Sequence, residues 1–288
     1  MTSTTTAGEA MSAEPVDFDG LRIAWDPRVL RPRPWTAEQG RWAAEVAESA
    51  PAGPILELCA GAGQIGLVAA RDSGRVLVQV DRDPVAVGYA RANAAAAGLD
   101  AEVRCASLDA ALRPEERFGV VVADPPWLRS DELTQFPEDP TGAVDGGADG
   151  FGLIRQCLEV GVAHLAPGGA LLLQVGPDQV AQVSEHVREA LPRHRVAAVR
   201  TYPRGAIVMV TDQSHPGPGK GDENDDEKQD GQQSEGQVSE VSAMRDPDEP
   251  ISPSDAVAGS PDNEKEGDLQ EGAAGPNART GNEDPDKR

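Results

Sequence analysis

The sequence predicts an α/β domain with a mostly parallel, seven-stranded sheet and helices on both faces, and three observations carry that prediction. Strand-sized runs rich in Val, Ile and Leu alternate with helix-patterned segments, as strands buried on both sides do. A glycine-rich turn stands where the first of these strands hands over to a helix. Proline and glycine punctuate the remaining boundaries, at Pro84, Gly98 and Pro167-Gly168-Gly169.

The elements follow in order. Residues 38–49 form the first expected helix, with Trp42, Val46 and Gln39 on one side and Thr36 as N-cap. A strand over 55–59, a helix over 64–71 and a strand over 76–80 come next. The alanine-rich segment 84–97 is expected to be helical, since Pro84 suits a first turn and Gly98 a C-terminal cap. Strands over 102–105 and 118–123 precede a helix over 151–165, ended by Pro167-Gly168-Gly169, and a strand over 170–175. A helix over 179–191 and strands over 195–201 and 206–211 complete the domain.

Two segments carry chemistry. The first runs from Ile55 through Glu57, Gly61 and Gly63 to Gly66, an apolar strand that turns through glycines into a helix. Gly61 and Gly63 allow a tight turn and a close ligand, and Gly66 allows close helix packing. Glu57 argues against a pyrophosphate, which it would repel, and favours a cationic or neutral ligand. Asp81, at the end of the next strand, is placed to accept both hydroxyls of a ribose. The ligand these residues imply is a nucleoside without a phosphate chain. The second segment is Asp124-Pro125-Pro126-Trp127, at the end of the apolar run 118–123. It sets a carboxylate, two rigid prolines and a large aromatic beside the strand end, a site for presenting a flat amine or amide to an electrophile.

With those residues in view, the chain resembles the class I S-adenosylmethionine-dependent methyltransferases. More closely, it resembles the protein-(glutamine-N5) methyltransferases that act on peptide-chain release factors. The resemblance runs from about Arg22 to Met209 and rests on four segments: Asp26 to Pro34, Glu57 to Gly66, Asp124 to Trp127, and Asp145-Gly146-Gly147-Ala148-Asp149-Gly150. It implies a Rossmann-like fold closed by an antiparallel pair of strands around Tyr202-Pro203-Arg204-Gly205, with S-adenosyl-L-methionine as cofactor. By resemblance, Glu57 and the backbone at Gly61 and Gly63 hold the methionine part, and Asp81, with Arg82 beside it, holds the ribose. Ser107 and Leu108 contact the adenine, although Ser107-Leu108-Asp109 reads equally as a helix cap. The Asp124 carboxylate and the Pro125 carbonyl accept from the substrate N–H2, Pro126 fixes the backbone, and Trp127 stacks on the acceptor.

Two departures bear on the substrate. The family's Asn-Pro-Pro-Tyr motif stands here as Asp-Pro-Pro-Trp, a variation also found among methyltransferases of nucleobase amines. The small helical domain that usually precedes the catalytic one is expected to be missing, since only about twenty weakly patterned residues precede Leu21. Three functions are therefore weighed: methylation of a protein glutamine, as in a release factor; N-methylation of a base in RNA or DNA; and non-catalytic binding of the cofactor. The stretch 128–150 is expected to cover the substrate, with Glu138, Asp145 and Asp149 solvated or fixing the loop.

Composition sets the limits of the domain. From Gln213 onward there are 20 Asp and Glu against 7 Lys and Arg and no aromatic residue, too little apolar surface to offset the entropy of ordering. The expected division is a flexible N-terminus over 1–20, a methyltransferase domain over 21–212 and an acidic disordered tail over 213–288. A net charge of -23 offers no general field for gathering nucleic acid. Arg22, Arg28, Arg31 and Arg33 form a local basic cluster, either a solvated packing strap or a lip facing the substrate. The three cysteines, Cys59, Cys105 and Cys157, have no metal-ligand spacing and suit reduced thiols. No metal is expected. Without a signal-peptide pattern or a run long enough to span a membrane, a cytoplasmic monomer is expected.

Overall fold

The computed structural model describes residues 14–135 and 137–213; the expected acidic tail after Gln213 and the first thirteen residues lie outside them. The chain opens with a hairpin, β1 (Val16–Phe18) and β2 (Leu21–Ile23). A strap and a 3-10 turn (Pro34–Thr36) lead into α1 (Ala37–Ser49). Then come β3 (Ile55–Leu58), α2 (Gln64–Ser73), β4 (Leu77–Asp81), α3 (Pro84–Ala97), β5 (Ala101–Cys105) and β6 (Phe118–Ala123). A covering loop containing α4 (Thr141–Val144) joins β6 to α5 (Gly152–Ala163). The chain continues with β7 (Leu165–Val175), α6 (Val180–Ala190), β8 (His194–Tyr202) and β9 (Gly205–Asp212).

The seven-stranded sheet has the order β5-β4-β3-β6-β7-β9-β8. Its first five strands are parallel, and β9 runs antiparallel to β7 and β8. The fold is therefore the expected Rossmann-like one. Alternation along each strand splits the core into two layers. Ile55, Val120, Val122 and Leu172 pack toward α1 and α2, while Leu56, Val121, Leu171 and Leu173 pack toward α5 and α6. The chain builds outward through β4 and β5 on one side of β3, then returns to build β6 and β7 on the other. The carboxyl ends of β3 and β6 thus flank a crevice, the place where open α/β sheets bind ligands.

Four local differences from the sequence expectation have physical causes. Val16–Phe18, placed in the flexible N-terminus, form a strand because Phe18 and Ile23 bury completely in the core, with β2 lying on α2 and α3. Thr36 does not cap α1 with its side chain; the preceding 3-10 turn already gives it helical angles, and its hydroxyl donates to the Arg33 carbonyl. Helix α5 stops at Ala163, and Pro167-Gly168-Gly169, expected as its terminator, lies inside β7. A register shift there, between Phe118 paired with Leu165 and Val120 paired with Ala170, absorbs the extra residues. The short α4 was not anticipated. Among the described residues no helix is long and apolar enough to cross a membrane.

Candidate active site

The glycine turn after β3 is held open by left-handed backbone at Cys59, Gly61 and Gly63. Beneath it, Glu57 is 2% exposed and faces inward. One carboxyl oxygen accepts from the Gly66 amide at 2.9 Å, and the other from Gln79 Nε2 at 2.6 Å. Gln79 Nε2 also donates to the Gly63 carbonyl at 3.0 Å, so Glu57 and Gln79 together brace the turn from below. A Cβ on residue 66 would come within 2.4 Å of Glu57 Oε2, which is why only glycine seats the carboxyl there. Burial pushes Glu57 up to about 7 despite the two bonds.

A cavity of about 560 Å³ opens above this turn at the carboxyl ends of β3, β4 and β6. Gly61, Asp81, Arg82, Ser107, Leu108 and Asp124, the residues expected to contact the cofactor, all line it. Glu57 and Gly63 do not. The expectation that Glu57 holds the methionine part directly is corrected: its carboxyl is consumed in shaping the loop. Asp109 is also absent from the lining.

Asp81 accepts from the Gly61 amide at 2.8 Å on one oxygen and from the Asp83 amide at 2.9 Å on the other. Each oxygen keeps an acceptor site, so the fixed carboxylate can receive two neighbouring hydroxyls. Its pKa is raised by burial, against the pull of those two amides.

Asp124 follows β6 immediately. Its carboxyl makes no hydrogen bond among the described residues, and burial alone pushes it up to about 7. Asp124 and Pro126 line both the large cavity and a crevice of about 40 Å³ that continues past them. Pro125 and Trp127 line that crevice. The Trp127 ring packs on Gly176 beyond β7, where a Cβ would stand 2.9 Å from its Cε3. Gln179 Nε2 donates to the Trp127 and Gly150 carbonyls at 3.2 and 3.0 Å and ties the motif to the loop end.

The covering loop closes one side through Pro140, Gly142 and Ala143 of the cavity wall. Asp145 accepts from Ser130 Oγ and the Gly147 amide, and Asp149 from the Phe151 amide, the loop-fixing roles expected of them. Sequence reasoning missed Asp139, which forms a buried 2.6 Å pair with Arg33. It also left Arg28 in an undivided basic cluster. Arg28 lines the large cavity, and Asp26, 2% exposed, holds its guanidinium while accepting from Tyr89 Oη at 2.6 Å. The Asp26-x-Arg28 spacing was a usable signal; Tyr89 had none.

S-adenosylmethionine combines a ribose diol with a zwitterionic amino-acid end and a cationic sulfonium. The residues fit it: two free acceptor sites on Asp81, the cationic Arg28, an unobstructed backbone at Gly61 and an acidic lining.

This sheet order, the braced glycine turn and the aspartate at the end of β4 define a class I S-adenosylmethionine-dependent methyltransferase. A model of the methyltransferase small domain matches residues 43–136. The chain is 35% identical over 181 residues to the release factor glutamine methyltransferase of Deinococcus radiodurans, covering 61% of this chain and 64% of that protein. Its identity to the enzyme of that name from Koribacter versatilis is 30% over 197 residues, 66% of this chain and 70% of that one. The fold is also similar to an S-adenosylmethionine-dependent methyltransferase from Agrobacterium tumefaciens, with a TM-score of 0.50 and 17% identity over 72% of each chain. The chain belongs to the release factor glutamine methyltransferase family, and it spans less than two thirds of the length of the Deinococcus relative.

Proposed function

We propose that this protein methylates the side-chain amide nitrogen of a glutamine in a protein substrate, with a peptide-chain release factor as the partner that the family points to. One observation supports this most: a half-buried carboxyl without a hydrogen-bond partner among the described residues, Asp124, stands where the cofactor-sized cavity meets the narrow crevice behind Trp127. When bound, the cofactor supplies an activated methyl group. The rest of the work is positioning by this chain's own residues. Asp81 receives the ribose hydroxyls, Arg28 the amino-acid carboxylate, and Ser107 and Leu108 lie against the base. The ionised Asp124 carboxylate and the Pro125 carbonyl accept from the two hydrogens of the substrate nitrogen. As the nitrogen gains carbon and sheds a proton, Asp124, buried to a pKa of about 7, can take that proton at one of its oxygens. Trp127 covers the flat group and excludes water. The setting proposed for this reaction is the cytoplasm, with the protein acting as a monomer.

A second reading is methylation of a nucleobase amine, and the carboxylate at position 124 favours it, because an anion stabilises positive charge developing on nitrogen. A lysate separated into protein, RNA, DNA and small-molecule fractions, incubated with labelled cofactor and either wild type or Asp124→Ala, decides between them. Wild-type-dependent label in a release-factor-sized protein is the expected result. Label confined to nucleic acid refutes the glutamine reading, and label nowhere withdraws the proposed activity.

A further inference from the structure

Buried polar atoms without partners concentrate beside Asp124. Arg33 Nε, Trp35 Nε1, Gln39 Oε1 and both amide atoms of Gln174 are buried with no hydrogen bond. Native interiors leave few such groups, and each costs about 1–3 kcal/mol, so a cluster of them calls for a cause.

Strand alternation places them together. Val120, Val122 and Leu172 face α1, and continuing each strand by two residues brings Asp124 and Gln174 to that same face. The pairing of Ala123 with Leu173 makes positions 124 and 174 neighbours on adjacent strands, about 4.8 Å apart. Gln39, on α1, reaches this spot and donates to the Ala123 and Leu172 carbonyls at 2.9 and 3.1 Å. A Cβ on Gly205 would stand 2.4 Å from Gln174 Nε2 and 3.5 Å from Trp35 Cη2, so the indole and the Gln174 amide share one niche.

The narrow crevice joins this niche to the reaction centre. Arg33, Trp35 and Thr36 form its strap side, and Asp124 to Leu128 form the other. Trp35 and Asp124 both line this crevice, so a group held by one lies within reach of the other. An indole N–H is a donor only, so whatever completes it must be an acceptor. Buried tryptophans ordinarily find one. A carboxamide whose NH2 is held by Asp124 brings its own acceptor, the carbonyl oxygen, into the same crevice.

We propose that Trp35 reads the carbonyl of the substrate: its indole N–H donates to the carboxamide oxygen while Asp124 holds the NH2 group. This rests on the glutamine reading above and adds the element that separates an amide from a plain amine. Arg33 is the neighbour that fixes the strap, since Asp139 engages its Nη2 while its Nε stays buried without a partner.

The test uses the full chain, purified release factor, and a release-factor variant with the acceptor glutamine, located by mass spectrometry after the wild-type reaction, changed to methionine. Trp35→Phe keeps an aromatic ring and removes the donor together with the outer indole atoms that reach Gly205, so the comparison between the two release-factor proteins isolates the donor. The expected result is a roughly tenfold lower kcat/KM, one ordinary hydrogen bond's worth, and a roughly tenfold weaker Kd for the glutamine protein with none for the methionine one. Unchanged melting temperature and unchanged Kd for S-adenosylhomocysteine show that the fold and cofactor site are intact. Equal weakening toward both proteins, or no weakening, overturns the role of Trp35 while leaving the glutamine reading in place. Wild type that methylates no glutamine overturns the functional reading itself, and this assignment with it.

Discussion

Asp124→Asn removes the one titrating group at the reaction centre while keeping its shape. Burial raises Asp124 from 3.8 to about 7, a bias against the charged form of about 4 kcal/mol at 1.36 kcal/mol per pKa unit. A folded-state pKa raised in this way means that the carboxyl holds its proton up to about pH 7 and becomes an acceptor-only carboxylate above it. The wild-type profile of kcat/KM for the cofactor, which reports the enzyme before the cation binds, should therefore fall on the acid side with an apparent pKa near 7. Activity at pH 6 should be roughly a tenth of that at pH 8. An amide at 124 accepts through its oxygen at every pH, so the variant should retain activity and lose the acid limb. Glu57 titrates in the same window but has no atom in the cavity, so its protonation reports on stability instead. With its pKa raised from 4.5 to about 7, the stability it contributes is fully present below pH 4.5 and is lost as pH rises through about 7. Steady-state kinetics from pH 5.5 to 9, paired with melting curves in the same buffers, separates the two. An acid limb that persists unchanged in Asp124→Asn would falsify the assignment.

Three further outcomes follow from the geometry. Gly66→Ala drives a Cβ to within 2.4 Å of Glu57 Oε2 and should destabilise the fold by about 1–3 kcal/mol, read as a lowered midpoint in urea unfolding. Arg28→Ala should weaken S-adenosylmethionine binding by about tenfold in calorimetry, yet leave the affinity for methylthioadenosine, which lacks the amino-acid end, unaltered. Binding of the cationic cofactor near pH 7 should release protons from the buried carboxyls, seen as a binding enthalpy that differs between phosphate and Tris buffers; identical enthalpies would count against it.

The sheet was legible because its signals are local and repetitive. Buried strands read as Val- and Leu-rich runs, and Pro84 and Gly98 mark the ends of α3 to the residue. What local reading missed depends on contacts far apart in sequence. The β1–β2 hairpin is three residues a strand and is secured by Phe18 and Ile23 burying in the core beside α2 and α3. The brace under the glycine turn joins Glu57 to Gln79, 22 positions away, and nothing in the run 55–66 signals that its acid turns inward. Asp139 pairs with Arg33 across 106 positions, so neither residue announces the other. The cavity residues were legible for a different reason. Asp81 and Asp124 each stand at the carboxyl end of a strand, and the parallel sheet brings those ends to one edge regardless of packing detail.

The acidic character of the site also accounts for the division of labour among its carboxyls. Asp81 and Asp124 both raise the pKa of Glu57 through their charges, so the three acids sense one another. Such a set is unfavourable alone and favourable around a cation. A cationic sulfonium bound in this cavity would meet a negative field from Asp81 and Asp124, an attraction that a neutral sulfur would lack. On the proposed function, the same residues would hold the demethylated form less firmly. Glu57, sealed under the turn and sharing its charge with Gly66 and Gln79, keeps the loop in place without competing for the ligand. Placing one acid beneath the loop and two at its rim lets the turn be rigid and the cavity remain open to exchange.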